Sequence, residues 1–512
     1  MLDMSLQGNN HAQTVEVRLP EPGKTATKRI GIAADFRDQF RASIGIRDGY
    51  LCGVGHQPIA WHCGILAKFI AAATAAAMHG SRGRWVHFLS DQDVVDPLRI
   101  DLPVLDLGGV VRKSSLRLAP EQPHISADAV AYARKAQVTR RFDETALASD
   151  AAKAALDEII TALNDASDAP NAAVEMARAM NQCARRWITA PCAIIESTAL
   201  LTSDAGQAIL DAVLSRPQEC AAIFNRSLAI DPRAARPLRE DGARSEVPVW
   251  GLGRDGKRQR IDAIEARRRQ QANLPLLPRV FLASGLMRIA CDLYFHGTGG
   301  VQYERVGEIW WRDFLGLELP PFASATATIL PPPSALGLTS IVQGDARTDW
   351  RRAWWNPALL DRVDRVDHVD HVDHVDHVDH VDHVDHVDHV DHVDHVDHVD
   401  HVDHVSAAHS PNRLHDPARA QLLAHIAAAP RKSPARRAAY RALGDHIEKL
   451  RGEHAGELAA LHAAELASAS SRAQAALTND RTWPFLLMPH DAIDRMAHTI
   501  RASIKQDALH PS

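Results

Sequence analysis

The sequence predicts an α/β protein with a parallel sheet, a large helical insertion and a C-terminal helical region. Two short apolar stretches, 50–54 and 85–89, have the composition of buried strands, and the run between them has the length of a helix. A strand, a helix of about twenty residues and a second strand form a right-handed crossover, and the two strands are then parallel. Strand-like sequence returns after residue 245, which predicts a second half of the core.

The predicted elements fall into five consecutive regions. Residues 1–125 and 246–340 are the two halves of the α/β core, and the alanine-rich stretch 126–245 is a helical insertion. A linker follows at 341–410 and a helical or coiled-coil region at 411–512. Apolar spacing predicts helices within these regions at 29–46, 59–78, 151–163, 172–187, 203–214, 301–315 and 491–505. It also predicts a short coiled coil or helical hairpin across 434–477, and the sequence at 254–257 predicts a hairpin turn.

The bulk composition indicates a globular protein of several domains. The chain has 512 residues, 46% of them hydrophobic and 24% charged, and domains usually have about 100 to 150 residues. The longest apolar run, 69–78, is shorter than the roughly 20 residues that cross a bilayer. The first ten residues lack the pattern of a secretory signal. We therefore expect a cytoplasmic protein without a membrane partner.

The formal net charge of −6 comes from one segment. Residues 361–405 hold fifteen aspartates and two arginines, and the rest of the chain has 56 basic and 49 acidic residues, a balance of +7. This excess is too weak and too dispersed for a nucleic-acid partner. It suits an anionic small molecule such as a nucleotide.

Residues 367–405 repeat the triplet Asp-His-Val and contain thirteen histidines. A period of three matches neither a helix nor a strand, so no single face is apolar and the tract is expected to be disordered or polyproline-like. Its imidazoles and carboxylates are ligands for transition metals. The alternative is a repeat expansion in a tolerant linker. The six cysteines contain no Cys-x-x-Cys pair, so neither a zinc ribbon nor a disulfide framework is indicated.

The first candidate site is the turn Gly55-His56-Gln57, which follows the strand at 50–54. Pro58 is predicted to begin a helix that contains Lys68, and helix N-termini bind anions through free N–H groups. The turn would therefore bind an anion or nucleotide, with Lys68 balancing the charge. The alternative is a tight turn that serves stability, with Lys68 on a solvated face.

Two further turns carry polar residues at predicted strand ends. Asp91 and Asp93 follow the strand at 85–89, where they would remove a proton from an amine or bind a metal; the alternative is a pair of helix-capping aspartates. The second glycine-rich turn opens the helix at 301–315 and lacks both the Walker and the Rossmann spacing. Its candidate ligand-binding residues are Gly297, Thr298, Gly299, Gly300 and Tyr303, with a flexible helix entry as the alternative.

These motifs together resemble those of the bacillithiol biosynthesis cysteine ligases (the BshC family). Gly55-His56-Gln57-Pro58 is similar to the family's Gly-Gln-Gln-Pro turn, and Ser90-Asp91-Gln92-Asp93 to its Glu-Asp-His-Asp strand end. The segment 294–303 resembles its Tyr-Val-Gly-Gly-Pro-Gly-Glu-Ile-Ala-Tyr turn. The motifs occur in the same order over about 280 residues. His56 stands where the family has glutamine, Gln92 where it has histidine, and the Gly-Glu pair is missing.

The resemblance implies a Rossmann-like core, a coiled-coil dimer and amide-bond formation between a cysteine carboxyl and a sugar amine. We therefore predict a ligase-like enzyme with catalytic Asp91, Asp93 and His56, and a small-molecule substrate. The expected cofactor is ATP, ADP or another nucleotide, with a divalent metal as a further option and no metal-ligating residue assigned. Two alternatives stay open: a non-catalytic dimeric scaffold with a relic pocket, and metal binding by the histidine tract.

Overall fold

The structure is a computed structural model that describes residues 13–20, 34–46, 49–120, 122, 124–135, 146–191, 193–338, 354, 357, 416–430 and 433–509. The chain divides into two compact units, one made of residues 1–341 and 473–512 and the other of residues 342–472. The Asp-His-Val tract lies outside the described residues. Within the described part, no helix is long and apolar enough to cross a membrane.

The first unit is built on a six-stranded sheet of order β1-β11-β10-β2-β3-β6. The five strands from β11 to β6 are parallel to their neighbours, and β1 pairs antiparallel with β11 at the edge. The predicted α/β fold with a parallel sheet is thereby confirmed. Its strands are β1 (Gln13–Arg18), β2 (Tyr50–His56), β3 (Gly83–Leu89), β6 (Ala193–Glu196), β10 (Leu293–His296) and β11 (Phe322–Ile329).

Smaller antiparallel sheets lie outside this core. One is the hairpin of β4 (Arg99–Leu105) and β5 (Val111–Arg117). The other has the order β8-β7-β9, where β7 is Glu246–Leu252, β8 is Arg258–Asp262 and β9 is Leu276–Pro278. The predicted hairpin turn at 254–257 joins β7 to β8, as its Asp-Gly sequence favours.

Helices cover both faces of the central sheet and form two apolar cores. One core contains residues of α2, α3, α4 and α14, and the other contains residues of α1, α6, α7, α9 and α10. The helices of this unit are α1 (Ala34–Ser43), α2 (Cys63–Ala77), α3 (Asp150–Asp165), α4 (Ala172–Cys183), α5 (Ser197–Thr202), α6 (Asp204–Ser215), α7 (Pro217–Ser227), α8 (Ala263–Gln271), α9 (Phe281–Ile289), α10 (Val301–Leu315) and α14 (His490–Leu509).

The strand-helix-strand unit predicted at the start of the core is β2-α2-β3, with Cys52 opposite Trp85 in parallel register. Its helix is buried on almost every side, because α2 packs on the sheet and is itself covered by α14. Large apolar side chains from both helices, such as Phe69 and Ile493, are completely buried there. This packing explains a helix so rich in alanine and so poor in charge.

Four elements differ from the prediction. Helix α2 begins at Cys63 rather than at Pro58, because the ring of His62 accepts a hydrogen bond from Gly64 N at 3.1 Å and caps it. Trp61 fixes the preceding segment, since its side chain is buried in the core. Strand β6 lies within the predicted helical insertion, and β1 precedes the first predicted element. The helix at 29–46 is shorter, and its described part is α1.

The second unit contains α11 (Pro417–Ala428) and α12 (Pro434–Glu453), and α13 (Ala455–Thr478) begins in it. Asp416 caps α11 by accepting a hydrogen bond from Arg419 N at 2.9 Å, and its carboxylate also lies 2.9 Å from His446 Nε2 on α12. Within the described range, no side chain of α12 is buried. The coiled coil and the homodimer remain predictions for these helices.

Candidate functional site

The carboxyl ends of β10, β2 and β3 lie side by side at one edge of the central sheet. His296 ends β10 and His56 ends β2, and the two strands pair with Phe295 opposite Val54. His56 in turn pairs with Leu89, and Ser90 N donates to His56 O at 2.9 Å. The three polar turns selected from the sequence therefore leave neighbouring strands at the same edge.

His56 and His296 occupy equivalent positions in their turns. His56 Nδ1 lies 3.0 Å from Gln57 O, and His296 Nδ1 lies 3.2 Å from Gly297 O. A carbonyl oxygen only accepts hydrogen bonds, so each Nδ1 carries the proton and each Nε2 keeps a lone pair. Burial, with a smaller contribution from the charge of Lys68, lowers the pKa of His56 well below its usual range and that of His296 to about 3. Both imidazoles are neutral acceptors at pH 7.

Lys68 lies on α2 beneath this edge rather than on a solvated face. Its side chain is only 4% exposed, and its Nζ donates to Gly55 O at 2.5 Å. Burial lowers the pKa of Lys68 to about 7, because a charged ammonium loses its hydration there. The group is therefore a buried cation that is half ionised near neutral pH. An anion at the edge of the sheet would favour its charged form.

The glycines of the two turns serve different purposes. A Cβ on Gly55 would lie 2.1 Å from the Tyr294 hydroxyl oxygen, and a Cβ on Gly300 would lie 1.8 Å from the His296 ring. These two glycines make room for protein side chains rather than for a ligand. Gly297 and Gly299 have no heavy atom within 4 Å of such a Cβ, so the turn presents open backbone at these two positions. The side chain of Thr298 lies outside the described residues.

The carboxylate of Asp91 accepts hydrogen bonds from the protein itself. The side chain is completely buried, and it accepts hydrogen bonds from Ser197 Oγ at 2.6 Å, from Thr198 N at 3.1 Å and from Thr198 Oγ1. Burial raises the pKa of Asp91 to about 7, although these hydrogen bonds oppose the rise. The geometry matches the alternative of a helix-capping aspartate, because Ser197 and Thr198 begin α5.

Asp93 is the more accessible of the two predicted carboxylates, with 28% of its side chain exposed. Its Oδ1 lies 3.7 Å from Arg258 Nη1 on β8, and Arg258 in turn stacks on the Trp250 ring at 5.0 Å. The charge of Asp93 also raises the pKa of Tyr303, whose pKa is raised mainly by burial. Asp93 is thus near Tyr303 of the second turn and near the small β7-β8-β9 sheet.

A strained residue fixes the helix that packs behind the second turn. Val280 precedes α9 with φ 48° and ψ −115°, a conformation that β-branched residues rarely adopt. Arg279 N donates to Pro248 O at 2.9 Å, and Arg279 Nη1 pairs with the buried Glu246 at 2.6 Å, which holds the turn in place. The first residue of α9, Phe281, then contacts the Tyr303 ring with centroids 5.5 Å apart.

Two polar side chains behind the second turn form a buried ion pair, and one of them, Arg288, was not selected from the sequence. Arg288 and Glu304 are completely buried and form an ion pair of 2.7 Å between α9 and α10. No sequence signal links them, because they belong to different helices with other residues between. His296 could have been selected, since it directly precedes the glycine turn.

Other parts of the described chain offer little in the way of metal or ligand sites. Among the described residues, no group of three or more His, Cys, Asp or Glu side chains is arranged to hold a metal ion. An open cavity of about 960 Å³ lies between the α6–α7 junction and α8, lined by Arg216, Arg267, Ile264 and their neighbours. None of the predicted site residues lines it. The edge of the central sheet therefore remains the candidate site on chemical grounds.

Comparison with solved structures gives distant matches only. No protein-family model and no curated protein matches the chain. A solved structure described as a candidate arginyl-tRNA synthetase from Campylobacter jejuni matches at 10% identity with a TM-score of 0.22. The match covers 56% of this chain, and the chain spans 59% of the length of that protein. A TM-score this low does not establish a common fold.

Proposed function

We propose that this chain is a ligase-type enzyme that binds a nucleotide or another anionic small molecule beyond the carboxyl ends of β2 and β10. The observation that carries the proposal is the strand order. From β2 the sheet continues through β3 and β6 on one side and through β10 and β11 on the other. In open α/β sheets, ligands bind in the crevice where the strand order reverses in this way. His56 and His296 end the two strands at that point.

The charges near the crevice support an anionic ligand. Lys68 is a buried cation below the first turn, and helix α10 starts directly after Gly300 without a side-chain cap. The N–H groups of a long helix and a buried ammonium both stabilise negative charge. Gly297 and Gly299 leave room for a ligand to approach this helix end.

For the reaction we propose amide-bond formation between a cysteine carboxyl and an amino sugar, as the resemblance to the cysteine ligases implies. Asp93 is the better placed of the two aspartates to accept a proton from an amine, because part of its side chain is exposed. Asp91 would position the strand end by holding α5, and the Nε2 of His56 would accept a hydrogen bond from the ligand. ATP or ADP is the proposed nucleotide.

The test is thermal denaturation of the full-length protein with ATP, ADP, a sugar phosphate or inorganic phosphate. A ligand present at 100 times its Kd stabilises the native state by about 2.7 kcal/mol, so at least one probe should raise Tm by several degrees. Gly299→Trp should abolish this shift and keep the Tm of the ligand-free protein, because its side chain fills open space in the crevice.

The matched control is Gly452→Trp on α12, where a Cβ also meets no atom within 4 Å. This variant should keep the full ligand shift. If no probe changes Tm, or if Gly299→Trp responds as the unmodified chain does, the proposed binding site is wrong.

A non-catalytic scaffold is the second candidate, and two observations favour it. The space beside Gly55 is filled by Tyr294, and Asp91 is fully used by hydrogen bonds to α5. Both features would be kept in a protein that has lost its catalytic activity but retains the fold. The same denaturation series decides between the candidates, because a relic pocket predicts no shift with any probe.

A further inference from the structure

A buried cluster behind the second glycine turn contains more negative than positive charge. Arg288 donates to Glu304 Oε2 at 2.7 Å, to Glu308 Oε1 at 2.7 Å and to Pro320 O. Arg288 and Glu304 are completely buried, whereas Glu308 is 39% exposed. One guanidinium thus serves two carboxylates. If both carboxylates were ionised, the cluster would carry an uncompensated negative charge.

The uncompensated charge would fall on Glu304, since it has no access to water. A buried carboxylate without full compensation costs several kcal/mol, and such groups bind a proton instead. Glu308 is solvated and keeps its charge at lower cost. Charge balance therefore places one additional proton on or near Glu304.

The position of that proton follows from the free oxygen of Glu304. Its Oε1 is buried and lies 3.6 Å from His296 Nε2. The Ser284 hydroxyl is also near the Glu304 carboxyl, but among the described residues no donor completes a hydrogen bond to Oε1. His296 Nδ1 already donates to Gly297 O, so Nε2 presents a lone pair toward this oxygen. Two acceptors face each other across a gap slightly longer than a hydrogen bond. A proton between them would satisfy both.

Gly300 is required for this arrangement. A side chain at position 300 would overlap the His296 ring, with its Cβ only 1.8 Å from the nearest ring atoms. The glycine therefore lets the ring lie against the start of α10, toward Glu304. About a quarter of the His296 side chain is exposed, so the ring connects the buried carboxyl with the crevice.

We infer that Glu304 Oε1 and His296 Nε2 hold a single exchangeable proton between them and form an acid–base pair of the crevice. Release of the proton leaves Glu304 as a carboxylate beside Arg288 and His296 as a neutral imidazole. Its return restores a neutral cluster. The role of the pair toward a ligand rests on the proposed function, but the shared proton does not.

The charged and titratable groups that surround the pair agree with this assignment. Lys68 faces His296 from α2 and disfavours an imidazolium. Arg288 faces both groups from α9, and the hydroxyls of Tyr294 and Tyr303 are near Glu304. Burial raises the pKa of Glu304 although Arg288 opposes the rise. The proton therefore belongs mainly to Glu304, with His296 as the acceptor.

Infrared spectroscopy of the full-length protein without ligand tests the inference. The protein should show a carboxylic-acid C=O band at pH 7 that Glu304→Gln removes and that shifts promptly in D2O. Asp91→Asn should remove only the part of the carboxylic-acid absorption that comes from Asp91 and should leave the Glu304 band unchanged. Glu308→Gln should remove the Glu304 band as well, because Arg288 then has one carboxylate left to balance.

His296→Gln should slow the shift in D2O, because the imidazole is the route by which the proton leaves. An unchanged carboxylic-acid region in Glu304→Gln would overturn the inference. So would a Glu304 band that Glu308→Gln leaves at full strength, since the charge count would then be wrong. Neither result depends on ligand binding, so failure of the proposed function in the denaturation series leaves this measurement fully informative.

Discussion

Among single residues, Lys68 has the largest effect on what the edge of the sheet can do. Its ammonium is buried on α2, donates to Gly55 O, and lowers the pKa of the histidines that end β2 and β10. His87 on β3 is influenced in the same way, and its pKa falls to about 3, with burial as the main cause. Burial keeps these three imidazoles neutral, and the charge of Lys68 adds to the effect at each of them. Such a charge costs stability unless a ligand compensates it.

Lys68→Met tests that cost. The folded pKa of about 7 lies below the unfolded value of about 10.5, so the unfolded chain binds more protons between these pH values and the stability of the unmodified chain falls as pH drops from 10 to 7. Below pH 7 the penalty is constant. A difference of about 3.5 pKa units corresponds to about 5 kcal/mol, and the lost hydrogen bond is worth about 1 kcal/mol. The free energy of unfolding of the variant at pH 6 should therefore be higher by about 4 kcal/mol, which denaturant titration measures.

The pH dependence of this difference is the control. The advantage of Lys68→Met over the unmodified chain should shrink as pH rises toward 10, while Lys153→Met on the surface of α3 should show no such trend. A variant that is less stable than the unmodified chain at pH 6 would show that the ammonium is already compensated in the ligand-free protein. The proposed function further predicts that the variant loses the shift with anionic probes.

Residue types alone predicted which turns carry polar groups, but not which of these groups are buried. The sequence selected Asp91 and Asp93 equally, and the structure separates them because Asp91 meets the start of α5, a helix whose position depends on the four-residue strand β6. In the same way, the need for Gly55 arises from Tyr294, a residue far away in the chain. Contacts of this kind have no local signal.

At the scale of elements, the prediction was reliable for long segments with a regular spacing of apolar residues and weak for short segments. The extent of α10 and the start of α12 were predicted correctly, and α3 within two residues, because each has a clear helical spacing and a start signal. Strand β6 has four residues and β9 three, too few to show a period of two. The start of α2 was misplaced because Pro58 resembled a first helical residue, whereas His62 makes the cap.

Asp292 joins three elements at the opposite, amino-terminal end of the parallel strands. Its carboxylate accepts hydrogen bonds from Arg37 Nη1 and Arg41 Nη2, both at 2.8 Å, and from Leu51 N at 2.7 Å. These contacts connect α1, β2 and the start of β10. Asp292→Ala leaves a buried arginine without its partner, which typically costs about 3 to 5 kcal/mol.

Chemical denaturation should show this loss as a lower midpoint for Asp292→Ala. The comparison variant is Asp313→Ala, which removes the more exposed pair of Asp313 and Arg312 and should change stability by less than about 0.5 kcal/mol. Equal effects of the two substitutions would contradict a structural role for the Asp292 cluster.

For the whole molecule, the sequence predicted the α/β class, and the structure adds how the core is completed. The first unit takes strands from residues 13–329 and helix α14 from the far end of the chain. The sequence could not show which distant segments pair, because the order of strands in a sheet depends on packing of both faces.

Metal binding by the Asp-His-Val tract is a separate prediction that can be tested on the whole protein. Thirteen histidines three residues apart should bind nickel or zinc, since imidazole is a ligand for both and many copies raise the affinity. Replacing 367–405 with an equally long Gly-Ser segment should abolish nickel uptake in equilibrium dialysis at pH 7.5. Uptake should also fall below about pH 6, because protonated imidazole cannot bind a metal. Unchanged uptake after the replacement would exclude the tract as the metal-binding segment.

The burial of α2 beneath α14 has a consequence for synthesis on the ribosome. The face of α2 that receives Ile493 and Met496 is apolar, and the helix that covers it is made more than 400 residues later. At about 5 to 20 residues per second, a nascent chain that has finished β11 waits on the order of ten seconds before α14 emerges. During that time α2 is an exposed apolar surface. Chaperone binding or premature association would act on the nascent chain at this surface.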